Sequence, residues 1–363
     1  MADADDAAAL VERLFGAALG GFDLVCVYIG DRLGLYRALA DGGPMTASGL
    51  AHAAGVHPRY AREWLEQQAM SGILSVDDPD LSDDERRYDM PSAHAEVLLD
   101  ELSMNFMTPI AQLFVACTGP LAAVLDAFRS GGGVPYADYG PDLHEGQARF
   151  SRILFDNLLT GDWLPAVPGV HERLTAEPPA RVADIACGLG RSTVAMARGY
   201  PLIRVDGIDL DEASIIRANE LLATDARPDL GDRVTFIHGD AASADLAGAY
   251  DLVTIFEALH DMSHPVATLR AARGLLRDAG VVLIGDEMTA DRFSPDAGDI
   301  ERLYYGFSVT HCLPVGMVGA DPAGTGTVMR ADTVARYARE AGFGACEVLP
   351  IENDFWRFYL LRQ

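Results

Sequence analysis

The stretch VADIACGLGRSTVAMA, residues 182–197, decides the fold of this chain. An apolar run carries one acid, Asp184, and then breaks into a loop with Gly188 and Gly190 before a helix opens at Arg191. Glycine lacks a Cβ, so a strand that runs through glycines into a helix N-terminus brings bare backbone amides against a ligand. The stretch therefore predicts a strand, a ligand-binding loop and a helix.

Acids also stand at the tips of the next two predicted strands. The strand IRVDGIDLD ends in Asp209, about nineteen residues after Gly190, and an acid at the tip of the second strand of a βαβ unit is placed to bind ribose hydroxyls. The strand FIHGD ends in Asp240. Leu210 and Ala241 directly follow these two acids, and we expect them to line the same cofactor site.

Together these motifs resemble those of the class I S-adenosylmethionine-dependent methyltransferases, whose first motif is acid-x-Gly-x-Gly-x-Gly. In this chain the motif runs from Asp184 to Gly190, with Ala186 in place of the first glycine. The alternative, a nicotinamide dehydrogenase, requires Gly-x-Gly-x-x-Gly, and the residues after Gly190 do not supply its last glycine. The resemblance, which is to the small-molecule, O-methyltransferase-like branch, implies S-adenosylmethionine as the cofactor.

The resemblance also implies roles in cofactor binding. Asp184 anchors the loop and reaches the methionine ammonium, the loop glycines contact the methionine end, Asp209 binds the ribose, and Asp240 binds the adenine amino group. Because Asp is common at turns, a plain turn residue is the alternative for Asp240. The predicted cofactor-binding set is Asp184, Ala186, Gly188, Gly190, Asp209, Leu210, Asp240, Ala241 and Glu257.

Strands and helices alternate from residue 181 onward. The chain then closes with the helix TVARYAREAGFG and the strands CEVLPIE and FWRFYLLRQ. This order predicts an α/β fold, a Rossmann-like doubly wound sheet with a C-terminal antiparallel hairpin, over residues 179–363. We expect a mostly α-helical winged-helix domain over residues 1–100 and a helical connector with the substrate pocket over residues 101–178.

The N-terminal residues predict the winged helix. Apolar positions recur at helical spacing over residues 8–40, Thr46 caps a short helix, and a second helix runs from about Pro58 to Met70. Ile73 to Val76 then form a strand, and RRYDMP forms its return. Methyltransferases of the kind that this chain resembles are usually homodimers through this region. We therefore expect a homodimer built through residues 8–40.

A winged helix also invites a DNA-binding hypothesis, which the charge of the chain disfavours. The second helix, HPRYAREWLEQQAM, sets two arginines against two glutamates, whereas a helix that enters a DNA groove needs a basic footprint. The whole chain carries a formal net charge of −26, which repels phosphate backbones and anionic lipids. We therefore expect no nucleic-acid partner and no membrane partner.

The cysteines and the N-terminus predict a cytoplasmic protein. The five cysteines are odd in number and show no Cys-x-x-Cys spacing, which indicates reduced thiols. The start, MADADDAAAL, is acidic where a signal peptide needs positive charge. No apolar run approaches the roughly eighteen residues of a membrane span.

An acceptor pocket needs apolar side chains and a few polar groups. The segment of residues 101–175 is rich in Met, Phe, Tyr and Trp, most of which belong to the core by default. A later helix, DIERLYYGFSVTHCLP, places further aromatic rings and His311 on one face. The predicted substrate-contacting residues are Phe150, Phe155, Asn157, Trp163, Tyr304 and Phe307.

The predicted catalytic residues follow the fourth strand of the sheet. DLVTIFEALHDM reaches Glu257 and delivers His260 and Asp261 to the carboxyl edge, where ligands bind in such folds. The His resembles the general base of plant-type and microbial O-methyltransferases, in a His-Asp pair. Its ordinary pKa near neutrality suits the removal of an acceptor proton. A helix-capping His is the structural alternative.

A metal site is a second possibility at the same edge. His260, Asp261 and His311 are two imidazoles and one carboxylate, a set that forms a facial triad for iron or another divalent cation. In this respect the chain resembles a group of antibiotic-pathway methyltransferases that C-methylate an aromatic 2-oxo acid through a bound ferric ion. A metal-free His260 base and a metal triad both stay open.

The sequence thus predicts an S-adenosylmethionine-dependent methyltransferase for a small aromatic or acidic metabolite of secondary metabolism. The transfer is to oxygen, or to carbon of a 2-oxo acid with a metal. Two other classes of function remain as alternatives. One is a winged-helix transcriptional regulator that senses the cofactor, and the other is a methyltransferase fold that performs non-methyl chemistry.

Overall fold

A computed structural model of the chain describes residues 2–242 and 246–363. The chain divides into two compact units, the first ending at Ala116 and the second beginning at Cys117. The segment of residues 101–178, predicted as a connector, is therefore shared between both units. Among the described residues no single helix is both long enough and apolar enough to cross a bilayer. The helices Thr108–Thr118 and Leu121–Ser130, which are bent relative to each other, reach that length and hydropathy only when they are taken together.

The first unit is helical with one short hairpin. Its helices are α1 (Ala2–Arg32), α2 (Leu35–Gly42), α3 (Ala47–Ala54), α4 (Pro58–Met70), α5 (Ser92–Leu99) and the start of α6 (Thr108–Thr118). The hairpin strands are β1 (Ser75–Val76) and β2 (Tyr88–Asp89), which pair antiparallel. The expected helix, turn, helix and hairpin are all present.

Local signals explain where these helices begin and end. Thr46 Oγ1 accepts a hydrogen bond from the backbone N–H of Gly49 at 3.2 Å, so the predicted cap of α3 is confirmed. Gly34 adopts a φ of 66°, and it separates α1 from α2 where the sequence predicted helical spacing throughout residues 8–40. The core of the unit forms around Tyr36, whose ring meets that of Trp64 edge-on at 5.1 Å.

The second unit alternates strands and helices. Its strands are β3 (Arg181–Ile185), β4 (Arg204–Asp209), β5 (Val234–His238), β6 (Tyr250–Phe256), β7 (Leu276–Glu287), β8 (Ala345–Val348) and β9 (Trp356–Arg362). Its helices after α6 are α7 (Leu121–Ser130), α8 (Pro141–Leu154), α9 (Leu164–Ala166), α10 (Val170–Thr175), α11 (Arg191–Gly199), α12 (Glu212–Ala223), α13 (Pro265–Leu275), α14 (Asp299–Phe307), α15 (Leu313–Gly316) and α16 (Ala331–Glu340).

Shorter helical segments complete this unit. The 3-10 turns are Tyr136–Tyr139, Pro228–Asp232 and Leu259–Asp261. Two π-helical segments, Phe155–Trp163 and Ser308–Cys312, extend α8 and α14. A π-helix places side chains at a different angle from an α-helix, so these two segments change where the following residues point.

The strands of the second unit form one sheet. Within the described residues the order is β5-β4-β3-β6-β7-β9-β8, in which β3 to β7 are parallel and β9 is antiparallel to both of its neighbours. The doubly wound sheet with a closing antiparallel hairpin is therefore confirmed. The strand order reverses beside β3, and a ligand crevice opens at the carboxyl edge at such a point.

The core of this unit lies on both faces of the sheet. Along β3, Val182 joins the cluster on one face and Ala183 joins the cluster on the other, because successive strand side chains point to opposite sides. β6 and β7 are apolar and buried along most of their length, as expected of strands that are covered on both faces. This double burial holds the carboxyl edge, and the residues on it, in a rigid frame.

Candidate active site at the carboxyl edge of the sheet

The glycine loop follows β3 at the carboxyl edge. Ala186, Gly188 and Gly190 all adopt positive φ angles, of 57°, 51° and 75°. A Cβ at Gly190 would collide with the ring of Phe236, whereas one at Gly188 would have no described atom within 4 Å. Gly190 is therefore required by packing, and Gly188 faces open space. Ala186 adopts the left-handed conformation that the glycine of the family motif would adopt without strain.

Asp184, near the end of β3, forms hydrogen bonds with residues that directly follow the glycine loop. Its carboxylate accepts hydrogen bonds from Ser192 Oγ and Thr193 Oγ1, both at 2.6 Å, and from Thr254 Oγ1 at 2.7 Å. Burial raises the pKa of this carboxyl, and the three hydroxyl donors oppose that shift. These contacts tie the start of α11 to strands β3 and β6. The predicted roles of Asp184, as anchor of the loop and as contact of a methionine ammonium, stay predictions.

Asp209, at the end of β4, contacts the glycine loop directly. Its Oδ2 accepts a hydrogen bond from the backbone N–H of Gly188, and its Oδ1 accepts one from that of Asp211, both at 2.8 Å. Burial raises the pKa of Asp209, and these backbone donors oppose it. The structure therefore brings the predicted ribose acid beside the open space at Gly188.

The acid after β5 lies in a more exposed setting. Asp240 is exposed, and its Oδ1 accepts a hydrogen bond from the backbone N–H of Ala242 at 2.9 Å, which is the turn geometry named as its alternative. Of its neighbours in the predicted set, Leu210 is exposed and Ala241 is buried. Binding of adenine by Asp240 stays a prediction.

Glu257 occupies a strained position at the end of β6. Its φ is 52°, a conformation that costs energy in a residue with a Cβ and that is often found at functional sites. Its carboxylate accepts a hydrogen bond from Ser151 Oγ on α8 at 2.7 Å. Burial raises the pKa of Glu257 to about 7, against the opposing effects of Ser151 and His260. Ser151 lies 106 residues away, and no local signal in the sequence indicates this pairing.

His260 is buried on the short turn after β6. Its Nδ1 lies 2.8 Å from Asp286 Oδ1 and 2.9 Å from Glu287 Oε2, both at the end of β7. Nδ1 forms a hydrogen bond with Asp286, and Glu287 lies within ion-pair distance of the same nitrogen. This acidic pair was not predicted from the sequence, although two acids at the end of a buried strand, in GDEM, were a usable signal.

The acidic pair changes the protonation of the histidine. Burial lowers the pKa of His260, but the charges of Glu287 and Asp286 outweigh burial and raise it well above its usual value. Burial raises the pKa of Glu287, against the opposing charge of His260, and it also acts to raise that of Asp286. For Asp286 the charge and hydrogen bond of His260 prevail and lower the pKa.

The predicted pair of His260 with Asp261 needs a correction. The hydrogen-bond partner of the imidazole is Asp286, because adjacent residues on a helical turn point in different directions. Asp261 is half-buried, and burial raises its pKa to about 6 while the charge of His260 opposes the shift. Asp261 therefore lies near the histidine as a separate carboxyl group.

The predicted metal triad is not assembled either. Among the described residues, two sets of three side chains each have their possible ligand atoms within 4.8 Å of one another. One set is His260, Asp261 and Cys312, and the other is His260, Asp286 and Glu287. His311 is in neither set; its Nδ1 lies 3.3 Å from Cys312 Sγ, and its ring packs edge-on against Tyr139. The π-helical segment Ser308–Cys312 replaces the regular helix end from which the sequence placed His311.

The six predicted acceptor-contacting residues lie in three different settings. Phe155 and Trp163 belong to the core, where Trp163 packs on Trp356 at 5.2 Å, so their predicted place in a pocket wall is corrected. Asn157 is exposed and donates a hydrogen bond to the carbonyl of Ile153 at 2.8 Å. The other three, all partly or fully buried, are Phe150, Tyr304 and Phe307.

An aromatic group that the sequence did not single out lies near the same edge. Tyr136 stacks on His144 with ring centroids 4.5 Å apart. Burial raises the pKa of its phenol, and the charges of Asp209 and Asp261 raise it further. Tyr136 is therefore near both the predicted cofactor-binding residues and the predicted catalytic residues. The sequence around it, GGGVPYADYGPD, has the composition of a plain loop, and this composition concealed the cluster.

Comparison with known proteins supports the domain assignments. Residues 183–282 match the family described as methyltransferase domain, and residues 22–99 match the Rv2258c-like winged HTH domain. The 27-O-demethylrifamycin SV methyltransferase of Amycolatopsis mediterranei (strain S699) is 32% identical over 124 residues, which are 34% of this chain and 44% of that protein. The chain thus matches less than half the length of this relative.

Solved structures share the fold over nearly the whole chain. The mitomycin 7-O-methyltransferase MmcR gives a TM-score of 0.68 at 19% identity and covers 99% of both chains. Human N-acetylserotonin methyltransferase, solved with S-adenosylmethionine, gives 0.68 at 15% identity and covers 97% of both chains. The sheet order, the glycine loop and these matches define a class I methyltransferase domain preceded by a winged-helix domain, so the resemblance noted in the sequence is confirmed.

Proposed function

We propose that this chain transfers a methyl group from S-adenosylmethionine to an oxygen atom of a small aromatic acceptor. The observation that carries the proposal is the buried His260, held by Asp286 at the carboxyl edge onto which the glycine loop also opens. Support for oxygen as the acceptor atom comes from the relatives, whose names specify O-methylation.

The residues at the glycine loop fit the cofactor. Gly188 leaves open the space that a side chain would fill, and the carboxylate of Asp209 lies next to it for ribose hydroxyls. When bound, S-adenosylmethionine supplies a methyl group on a positively charged sulfur. Asp209, Glu257 and Asp261 provide carboxyl groups on that side of the site, which suits a cationic cofactor.

His260 is the general base in this proposal. The hydrogen bond from Nδ1 to Asp286 keeps one proton on that nitrogen and leaves Nε2 for the proton of an acceptor hydroxyl. The acidic partners raise the basicity of the ring, so it holds the transferred proton more firmly than an isolated imidazole does. Asp286 thus positions and tunes the base without contacting the acceptor.

Metal-assisted C-methylation of a 2-oxo acid is a second candidate, favoured by one observation. Nitrogen, oxygen and sulfur ligand atoms of His260, Asp261 and Cys312 lie within 4.8 Å of one another. Cys312 would take the place that the sequence analysis gave to His311. Elemental analysis of protein purified without chelator decides between the two. Stoichiometric metal that is lost in Cys312→Ser and kept in His311→Ala supports this candidate, and absence of metal leaves the His260 base.

A product assay tests the main proposal. The full chain is incubated with S-adenosylmethionine and a panel of phenolic compounds, and both S-adenosylhomocysteine and the methylated product are measured. His260→Gln should lose at least about 100-fold in kcat, because general-base catalysis is worth that much. The matched control is His264→Gln, an exposed histidine four positions along the same segment. Turnover that leaves the cofactor methyl in place would indicate non-methyl chemistry instead.

We also propose that the first unit forms a homodimer and does not bind DNA. Helix α1 exposes a row of large apolar side chains that the described unit does not cover, among them Leu14 and Phe22. On α4, Arg59 pairs with Glu63, and Arg62 pairs with Asp83, so the cations that a DNA phosphate would need are neutralised. A cytoplasmic location stays a prediction.

A further inference from the structure

Two histidines share one tyrosine beside the proposed base. Tyr136 stacks on the ring of His144 with centroids 4.5 Å apart and an interplanar angle of 4°. The ring of His311 lies 5.9 Å from Tyr136 and meets Tyr139 edge-on at 4.6 Å. The hydroxyl of Tyr139 donates a hydrogen bond to the carbonyl of Thr310 at 2.8 Å, which fixes this turn against the π-helical segment that carries His311.

Each of these imidazoles has one nitrogen without a protein partner. Among the described residues, the Nε2 atoms of His144 and His311 are buried and make no hydrogen bond. Their Nδ1 atoms lie near groups of the chain, 3.7 Å from Asp211 Oδ2 for His144 and 3.3 Å from Cys312 Sγ for His311. Because buried polar atoms nearly always have a partner, two such nitrogens around one tyrosine indicate a ligand.

The charges around the cluster limit the chemistry of that ligand. Burial raises the pKa of Tyr136 well above its usual value, and the carboxylates of Asp209, Asp261 and Asp211 raise it further, so the phenol keeps its proton. Three carboxyl groups beside these hydrogen-bonding side chains disfavour an anionic ligand, and the unpartnered nitrogens call for a polar one.

The cluster also lies where an acceptor must extend. Asp209 belongs to the cofactor half of the site, and Asp261 follows His260 directly, so a ligand group beside Tyr136 is near the site of methyl transfer. A small aromatic ring that presents one hydroxyl to His260 would reach the cluster with another substituent. The two imidazole nitrogens can donate to or accept from a hydroxyl.

We propose, on the basis of the methyltransferase function above, that His144 and His311 use Nε2 to bind a second hydroxyl of a neutral, polyhydroxylated aromatic acceptor. Tyr136 holds the two imidazoles in place through ring contacts. The acceptor class is therefore a neutral catechol-type or hydroquinone-type ring, and the subsite selects against the carboxylate of an aromatic acid. His144 and His311 determine specificity, while His260 performs the proton transfer.

Calorimetry on the full chain saturated with S-adenosylhomocysteine tests this subsite. The probes are 3,4-dihydroxybenzaldehyde, its 3,4-dimethoxy analogue and 3,4-dihydroxybenzoate. The wild type should bind the neutral diol about tenfold more tightly than either of the other two. His144→Phe and His311→Phe keep an aromatic ring and remove the nitrogens, and each should weaken diol binding about fivefold and reduce the preference.

His171→Phe is the matched control. His171 also contacts a tyrosine, Tyr200, but its Nδ1 lies 3.0 Å from the Tyr200 hydroxyl and so already has a partner. This variant should leave diol affinity unchanged. Titration with S-adenosylhomocysteine shows that each variant is folded, and where a Phe variant loses this binding the Leu variant at that position is measured in its place.

The outcomes separate the subsite from the function on which it rests. A wild type that does not bind S-adenosylhomocysteine contradicts the proposed function itself. Normal cofactor-product binding with unchanged diol affinity in both histidine variants overturns the subsite, and the two nitrogens then contact only water. A wild type that binds no diol, or that binds the benzoate more tightly, overturns the acceptor class.

Discussion

The Nδ1 atom of His260 lies 2.8 Å from Oδ1 of Asp286, and this contact joins the turn after β6 to the end of β7. Both side chains are buried, so the contact is electrostatically stronger than it would be in water. The two strands pair in parallel and carry both residues to one edge of the sheet. The orientation of the proposed base is thus set by the sheet.

Asp286→Asn should shift the pH dependence of turnover. The carboxylates of Glu287 and Asp286 raise the pKa of His260 against burial, and a base acts only when it is deprotonated. Turnover of the wild type should therefore rise with pH through this raised pKa. Loss of the Asp286 charge should move the acidic limb of the kcat profile about one unit or more to lower pH, while kcat at the plateau falls.

The control for this shift is Asp278→Asn, an exposed acid on the same strand. Its profile should overlay that of the wild type. An acidic limb that stays in place in Asp286→Asn would show that His260 does not titrate in the rate, and the assignment of the base would be wrong.

Gly188→Val should abolish binding of S-adenosylhomocysteine and leave the fold intact. The new side chain meets no described atom within 4 Å, so it would occupy the space assigned to the cofactor. Gly248→Val provides the control, because that glycine also has a positive φ and open space around its missing Cβ. Both variants carry similar backbone strain, and calorimetry should show lost affinity only in the first. Equal affinities would remove the loop from the cofactor site.

Asp209→Ala should weaken S-adenosylhomocysteine binding by about 1.5–3 kcal/mol, the worth of a charge-assisted hydrogen-bond pair. Asp240→Ala should cost less, because its carboxylate is exposed and already accepts a hydrogen bond in its turn. Isothermal calorimetry measures both. The reverse order of losses would assign the ribose contact to Asp240.

The full chain should be a dimer in solution. Leu14 and Phe22 are 61% and 69% exposed on α1, and charged substitutions there should prevent association because a buried, unpaired charge is costly. We expect Leu14→Glu with Phe22→Glu to give monomers by light scattering. Tyr60→Glu, on α4 and 78% exposed, should remain a dimer. A wild-type mass that stays monomeric at all concentrations contradicts this prediction.

The strand-loop-helix around Asp184 to Gly190 and the alternation that builds the sheet were both predictable from the sequence. Both are local signals, because they depend on glycine geometry and on the period of apolar residues. The sequence also indicated that Asp209 and His260 reach one edge, since the carboxyl ends of parallel strands meet there. These placements require no knowledge of which side chains touch.

Only the tertiary structure decided the partners within the site. His260 pairs with Asp286 and Glu287 from another strand, and Glu257 pairs with Ser151 from a helix 106 residues earlier. The choice of Asp286 over the adjacent Asp261 depends on side-chain direction. Asp286 is distant in the chain but reaches the imidazole because two parallel strands end side by side.

The tertiary structure also decided which aromatic residues are core and which face the site. Trp163 and Tyr136 both lie in a segment that is rich in aromatic residues. Trp163 packs on Trp356, whereas Tyr136 stacks on His144. Trp163 lies in the π-helical segment of residues 155–163, where side chains depart from α-helical positions, whereas Tyr136 lies in a 3-10 turn. Such a change of register depends on the packing around a helix, and packing is a property of the folded chain.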